Sequence, residues 1–227
     1  MVAFNLVKEA NKRRQMPDQV SELTTNRLSV YLRCLNTLDE TGVQTISSQA
    51  LAERFHLNAA QIRKDLAYFG EFGVRGVGYY VKELRRHLRK ILGLDRQLRV
   101  AIMGAGNLGM ALADYPGFRQ EGFEIVALFD VLNEKVGHLS RGGVNIYDVR
   151  QLKKVVKTDH VSIAVIAVPV SAAENVVRQV VAAGVKAILN FSPGPLTVPP
   201  GVKLKSVDLT QSLESLSFFL AREGTDS

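Results

Sequence analysis

The residues best placed to do chemistry lie near the middle of the chain. Gly104-Ala105-Gly106-Asn107-Leu108-Gly109 is a GxGxxG run, directly after the apolar stretch LRVAIM and at the head of the helical stretch LGMALADY. Glycines at this spacing let a backbone approach a pyrophosphate, whose charge is met by amide groups and a helix N-terminus. Alone, such a run is weak evidence. Asp130 strengthens it, because it ends the next apolar stretch, 21 residues after Gly109, where an acid that hydrogen-bonds ribose hydroxyls belongs. A carboxylate there repels a 2′-phosphate, and no arginine follows within Val131–Glu134, which favours NAD(H) over NADP(H). The plainer alternative is a Rossmann-like domain whose loop only packs, although three glycines plus the acid exceed what packing requires.

Ligands of parallel sheets sit beyond the carboxyl ends of the strands, so two later strand ends are expected to receive the nicotinamide half. These are Val168-Pro169 and Asn190-Phe191. A dehydrogenase would also need a positioned acid or base there. The four histidines, His56, His87, His138 and His160, all fall elsewhere in the pattern. No Ser/His/Asp arrangement or two-metal grouping stands out either, so no catalytic residue and no metal are expected. The single cysteine, Cys34, excludes a disulfide framework within the chain and a cysteine-built zinc site.

The elements that must position these residues alternate in type. From Leu98 onward the apolar runs LRVAIMG, FEIVALFD, VSIAVIAV, KAILNF and VKLKSV are separated by helical stretches such as SAAENVVRQVVAAG. Near-continuous apolar strands between helices predict a parallel sheet covered on both faces. After it, Leu209, Leu213, Leu216 and Phe219/Leu220 share one helical stripe.

The first half reads differently. Residues 1–99 hold 17 Lys+Arg against 10 Asp+Glu, so they carry the whole net charge of +7. Segregation of this kind suggests an anionic partner for the first half, with a solvated basic surface as the bland alternative. Leu28, Tyr31, Leu32, Leu35 and Leu38 recur at helical spacing from Thr25, Gly42 closes that element, and Cys34 lies off its stripe. In TISSQALAERFHLNAAQIRKDLAYFG, Ser47 or Ser48 can cap a short helix with Ala50, Leu51 and Phe55 facing inward. His56-Leu57 makes a tight connection, and Asn58 with Gln61 forms a capping-box variant that starts a second helix. Ile62, Leu66 and Phe69 give that helix a buried stripe, while Gln61, Lys64 and Tyr68, flanked by Arg63, occupy another face. Two short helices with a tight turn and a basic outer face match a helix-turn-helix. Gly73, Gly76 and Gly78 around Arg75, followed by Tyr79, Tyr80 and Val81, predict the β-hairpin of a wing. A basic helix, KELRRHLRKILGL, packs Leu84, Leu88, Ile91 and Leu92 inward.

Composition limits the classes further. At 227 residues, 46% hydrophobic and 22% charged, the chain suits one large or two small globular domains. The apolar run Val161–Val170 is too short to span a bilayer, and MVAFNLVKEANKRRQMP lacks the apolar core of a secretory signal. A cytoplasmic location is expected, with no membrane partner.

Taken in order, QIRKDLAYFG, GVRGVGYYV, GAGNLG, ALADYPGF, Phe129-Asp130, RGGV at Arg141–Val144, ILNFSP and VDLT resemble the Rex family over roughly residues 23–222. These are bacterial repressors that read the NADH/NAD+ ratio. The resemblance implies a homodimer whose winged helices read a palindromic operator and whose C-terminal helix is exchanged between subunits. It implies that NADH closes the dimer and releases DNA, with NAD+ as competitor. By position, Arg63 and Lys64 would contact DNA, Gly104, Gly106, Gly109 and Asp130 would hold NAD(H), and Arg33, Tyr115 and Asp208 would form an inter-domain polar network. The N-terminal arm, with Lys12-Arg13-Arg14, departs from the family by its length.

The expected fold class is therefore α/β. An arm over 1–22 precedes a winged-helix DNA-binding domain over 23–95 and a Rossmann-like NAD(H)-binding domain over 96–207, with a dimerisation helix over 208–227. A small NAD-dependent oxidoreductase with an accessory N-terminal domain is the runner-up, and a nucleotide- or CoA-binding interaction module is a third reading.

Overall fold

The computed structural model describes residues 20–223, so the basic arm at Lys12-Arg13-Arg14 lies outside the described residues. The chain divides into two compact units between Asp95 and Arg96.

In the first unit, α1 spans Glu22–Glu40, beginning three residues before Thr25 because Ser21 caps it, its side chain accepting from the Thr24 amide. The expected stripe is buried, and Cys34 is buried beside it rather than lying outside, since the packed face is wider than one heptad seam. A two-residue strand, β1 (Thr45–Ile46), follows; it is too short for periodicity to reveal. The helix-turn-helix is α2 (Ser48–Phe55) and α3 (Ala59–Phe69), capped by Ser47 and Asn58. His56 ends α2 in the left-handed region at φ 54°, and the Leu57 amide returns to the Ala52 carbonyl at 2.9 Å. Leu51 and Ala52 are the buried pair of α2, and Ala50 is exposed, because the helix begins at Ser48 and turns that residue outward.

The wing is β2 (Gly73–Val74) and β3 (Gly78–Tyr80), with β3 antiparallel to both β1 and β2. Gly78 is fixed at φ +95°, where a Cβ would stand 2.5 Å from the Ile46 carbonyl oxygen across the sheet. Val81 belongs to the next helix, α4 (Val81–Ile91), rather than to the hairpin, and buries its side chain with Leu84 and Leu88.

One buried charge organises this unit. Asp65 sits on α3 and is 4% exposed. Arg27 donates to it through Nε at 2.6 Å and Nη2 at 2.8 Å, Tyr31 through its hydroxyl at 2.9 Å, and Gln61 through Nε2 at 2.8 Å. Burial pushes this carboxyl upward, but the donors from Arg27, Gln61 and Tyr31 outweigh it and hold Asp65 below the usual carboxylate range. α3 is thereby bolted to α1 by polar bonds as well as by apolar packing.

The second unit is a parallel six-stranded sheet in the order β6-β5-β4-β7-β8-β9. Its strands are β4 (Leu98–Met103), β5 (Phe123–Asp130), β6 (Ile146–Asp148), β7 (Ile163–Ile166), β8 (Ala187–Asn190) and β9 (Lys203–Ser206). The three-residue β6 has no apolar run of its own and was not expected. Helices α5 (Asn107–Ala113) and α6 (Pro116–Gln120) follow β4; α7 (Leu152–Thr158) and α8 (Val170–Ala182) follow β6 and β7; α9 (Leu209–Glu223) ends the unit. One apolar core, containing Ala101, Met103 and Val177, covers one face, and a second, with Val100, Ile102 and Ala113, covers the other. Strand order reverses between β4 and β7, which opens a crevice at their carboxyl ends.

Asp65→Ala should lower the unfolding free energy of the chain by about 2–3 kcal/mol, because Tyr31 and Arg27 lose their acceptor. Since the native carboxyl titrates below its unfolded value, this stabilisation is present at neutral pH and lost as the pH falls below the ordinary carboxylate range. Urea unfolding of both chains across that range checks it; a gap that persists undiminished in acid would contradict the assignment.

Candidate functional site

The crevice between the carboxyl ends of β4, β5 and β7 is a cleft of about 380 Å³, within the range of small-molecule pockets. Gly104, Gly106, Asp130, Lys135, Val168 and Pro169 line it. The three motif glycines are there for three separate reasons. Gly104 has φ +103°, and a Cβ on it would stand 2.4 Å from the Ala167 carbonyl oxygen of the neighbouring strand end. At Gly109 a Cβ would fall 1.8 Å from the Gly104 carbonyl oxygen, so glycine lets α5 lie against the loop. Gly106 is different: its φ is −81°, and a Cβ there meets no atom within 4 Å among the described residues. Neither backbone strain nor packing demands glycine at 106, and its lack of a side chain leaves the backbone there open to close approach. No side chain caps α5.

Asp130, at the end of β5, faces this loop. Its Oδ2 accepts from the Ala105 amide at 2.9 Å, and its Oδ1 accepts from the amides of Val131 at 2.8 Å and Leu132 at 3.0 Å. Burial pushes its carboxyl upward, but the backbone donors of Leu132, Ala105 and Val131 and the nearby Lys135 charge outweigh it, keeping it ionised and below the usual range. Lys135 Nζ lies 3.5 Å from Oδ2. The sequence pattern does not reveal this cation, which stands one residue beyond the arginine-free segment Val131–Glu134.

The other expected nucleotide residues divide. Ala105 is buried and contributes its amide to Asp130, while Asn107 and Leu108 are exposed on the first turn of α5. Val168 and Pro169 lie at the cleft as expected. Asn190 and Phe191 do not line it. Asn190 is fully buried, its Oδ1 accepting from the Ser192 amide at 2.9 Å and its Nδ2 donating to the Ser192 carbonyl and the Ser206 hydroxyl. It fastens the end of β8 to β9, and Phe191 packs into the core on the α5 side of the sheet. A strand-end position in sequence does not say to which side its side chain turns. None of the four histidines lines the cleft, and no cluster of metal-ligating residues occurs among the described residues.

At the other end of α5, Asp114 Oδ1 accepts from the Ser140 hydroxyl at 2.6 Å and the Gly142 amide at 2.8 Å, anchoring the RGGV loop. The adjoining Tyr115 is exposed, edge-on to Phe118 at 5.1 Å. Asp208 Oδ1 accepts from the Thr210 and Gln211 amides and so caps α9. Arg33, in the first unit, lies on the exposed face of α1.

On α3, Arg63 and Lys64 are exposed, Arg63 Nη1 donating to the Ser48 hydroxyl of α2 at 3.0 Å. Tyr68 stands 48% exposed, edge-on to Phe69. Gln61 is half-buried, and its side-chain amide is occupied by Asp65, so its expected outward role is corrected to an inward one. Arg75 is exposed in the wing turn, which the Val77 amide closes onto the Val74 carbonyl. The basic helix α4 is less available than its composition suggests: Arg85 pairs with Asp39 and Arg89 donates to the Leu94 carbonyl, leaving Lys82, Arg86 and Lys90 exposed.

The glycine geometry makes a paired prediction. Gly109→Ala should cost several kcal/mol of stability, of the order of 2–4, since the helix must move off the loop. Gly106→Ala should change it by about 0.5 kcal/mol or less. Thermal unfolding of the two variants compares them directly, and equal losses would refute the division of roles.

A family model described as a CoA binding domain matches residues 95–194, and one described as a putative DNA-binding protein N-terminus matches residues 19–67. The redox-sensing transcriptional repressor Rex of Desulfitobacterium hafniense is 48% identical over 88% of this chain and 95% of its own length. That of Carboxydothermus hydrogenoformans is 49% identical over 90% and 98%. The crystal structure of RSP in complex with NAD+ and operator DNA matches with a TM-score of 0.87 at 39% identity, covering 91% of this chain and 95% of that one. RSP in complex with NADH matches at 0.80 and 38%, covering 91% and 96%. With a glycine-loop cleft, a helix-turn-helix and identity near one half along nine-tenths of its length, the chain belongs to the Rex family of redox-sensing transcriptional repressors.

Proposed function

We propose that this chain is a DNA-binding transcriptional repressor, not an enzyme, in which NADH occupancy of the second unit governs operator binding by the first. The observation that carries the reading is the pairing, in one chain, of an exposed Arg63/Lys64 helix with a glycine-loop cleft anchored by Asp130. Its relatives bear the same name, and the similar RSP has been seen with NAD+ and operator DNA together and, separately, with NADH. The oxidoreductase alternative finds no support among these relatives.

In this reading Arg63 and Lys64 enter the major groove, where each good pairing with a base edge contributes about 1–3 kcal/mol of discrimination. Arg75 and the exposed cations of α4, Lys82, Arg86 and Lys90, meet phosphates, which set register and make binding salt-dependent. Tyr68 borders the same face. In the cleft, the amides around Gly104–Gly109 receive the pyrophosphate, Asp130 accepts from the adenosine ribose, and Val168-Pro169 border the nicotinamide half. NADH would act as effector by binding the released form better than the DNA-bound form, since no ligand shifts an equilibrium without unequal affinity. NAD+ competing for the cleft with a smaller preference turns an affinity into a ratio sensor.

A second copy of the chain is the partner that α9 fits. Leu209, Leu213, Leu216, Phe219 and Leu220 are each 57–66% exposed on it, an apolar stripe that water would not leave uncovered. A two-fold dimer in turn implies a palindromic operator. A cytoplasmic location follows from this reading, since its target is DNA; no described helix is long and apolar enough to cross a membrane.

Replacing Arg63 and Lys64 together by alanine should weaken operator binding about 100-fold, from two contacts of about 1–3 kcal/mol each, while NADH affinity stays within about twofold. Gly106→Val should do the reverse, closing the cleft to the pyrophosphate while operator binding persists. Wild-type operator affinity in the double variant would sink the assignment of α3.

A further inference from the structure

The cleft holds a feature that the NAD(H) assignment does not use. Lys135 is the one cation lining it among the described residues, and the turn that carries it is closed by its own amide on the Leu132 carbonyl at 2.9 Å. Its side chain is 32% exposed, and its ammonium stands 3.5 Å from Asp130 Oδ2, at the edge of the carboxylate that faces the cleft. Asp130 itself is held by the amides of Ala105, Val131 and Leu132 and does not depend on Lys135 for its place.

Resting on the nucleotide reading above, we propose that Lys135 is a second specificity-determining residue of this cleft: a cation already placed to take a ribose 2′-phosphate and masked by Asp130. A group on the 2′-oxygen of a ribose bound to Asp130 lies within a bond or two of that carboxylate. A 2′-phosphate there carries between one and two negative charges at neutral pH, and Asp130 repels it at close range in a partly desolvated site. A lysine ammonium on a four-carbon stem, largely free of the backbone bonds that hold Asp130, can swing by an ångström or two to pair with that phosphate. With the carboxylate in place, Lys135 is held by it and the phosphate is rejected. With the carboxylate neutralised, the same ammonium loses its partner and a phosphate becomes its best available one. The preference for NAD(H) therefore rests on a single carboxylate, and one substitution at position 130 should move the cleft toward the phosphorylated nucleotide. The absence of arginine after Asp130 is not what excludes NADP(H), because a cation is present.

The test is fluorescence titration of the full-length chain with NADH and with NADPH, for wild type, Asp130→Asn, Lys135→Met and the double variant. Asparagine keeps an acceptor for the Val131 and Leu132 amides but not for the Ala105 amide, so thermal unfolding and the retained NADH affinity of each variant check that the glycine loop holds. The wild type should prefer NADH. Asp130→Asn should shift the NADPH/NADH affinity ratio toward NADPH by about 30-fold or more, and adding Lys135→Met should cancel at least about tenfold of that shift. Raised salt should weaken NADPH binding to Asp130→Asn more than NADH binding. A ratio unchanged by Asp130→Asn overturns the proposal, and so does a shift toward NADPH that survives Lys135→Met. A folded wild type that binds neither nucleotide would refute the NADH reading itself, an outcome distinct from both.

Discussion

The arrangement of the second unit depends on the hydrogen bonds that hold the Asp130 carboxylate at the end of β5. They join the end of one strand to the glycine loop at the end of its neighbour, through the Ala105 amide, and they close the turn that leads away through Val131 and Leu132. Without an acceptor there, the loop amides beside the crevice would have to find water. With it, the backbone at the ends of β4 and β5, on one side of the strand-order reversal, is held in one geometry around an ionised carboxylate. Preorganisation of that kind lowers the cost of binding a polar molecule in a cleft lined mostly by apolar side chains.

The first unit solves an equivalent problem with side chains. Asp65 holds α3 against α1 through Arg27 and Tyr31 and takes the Gln61 amide as well. The exposed face of α3 that carries Arg63 and Lys64 is then fixed by a buried charge on the same helix. Both carboxylates stay ionised against the cost of burial because their donors are numerous and close. In each unit one acid holds a neighbouring element in place: Asp65 fixes α3 against α1, and Asp130 fixes the glycine loop against the end of β5.

The two acids were unequally legible in the sequence. Asp130 could be found because a fixed spacing separates it from Gly109 and because strand and helix surround the glycine run. Asp65 could not, since a single acid on an amphipathic helix reads as a solvated residue unless its partner, here 38 positions earlier, is known. The same limit explains Gln61, which belongs to the outer face by periodicity yet turns inward to Asp65. Apolar runs of four to eight residues revealed most of the strands of the large sheet, while β1 and β6, at two and three residues, are formed by pairing with neighbours rather than by any pattern of their own. Asn190 shows where strand-end reasoning stops, because its side chain was turned into the core by a register that only the folded sheet defines. Lys135 marks a different limit, a charge brought to Asp130 by a turn whose geometry spacing does not convey.

A repressor of this design has two competent surfaces, and its regulation lies in the free energy that couples them. Reciprocity then requires that DNA disfavour NADH by the same factor by which NADH disfavours DNA. That coupling is read most directly by fluorescence anisotropy of a labelled palindromic operator, with NADH titrated at constant NAD+ and constant salt. Operator binding should be lost as NADH rises, at a midpoint that moves upward when NAD+ is increased. Tight binding that ignores NADH throughout the titration would contradict it.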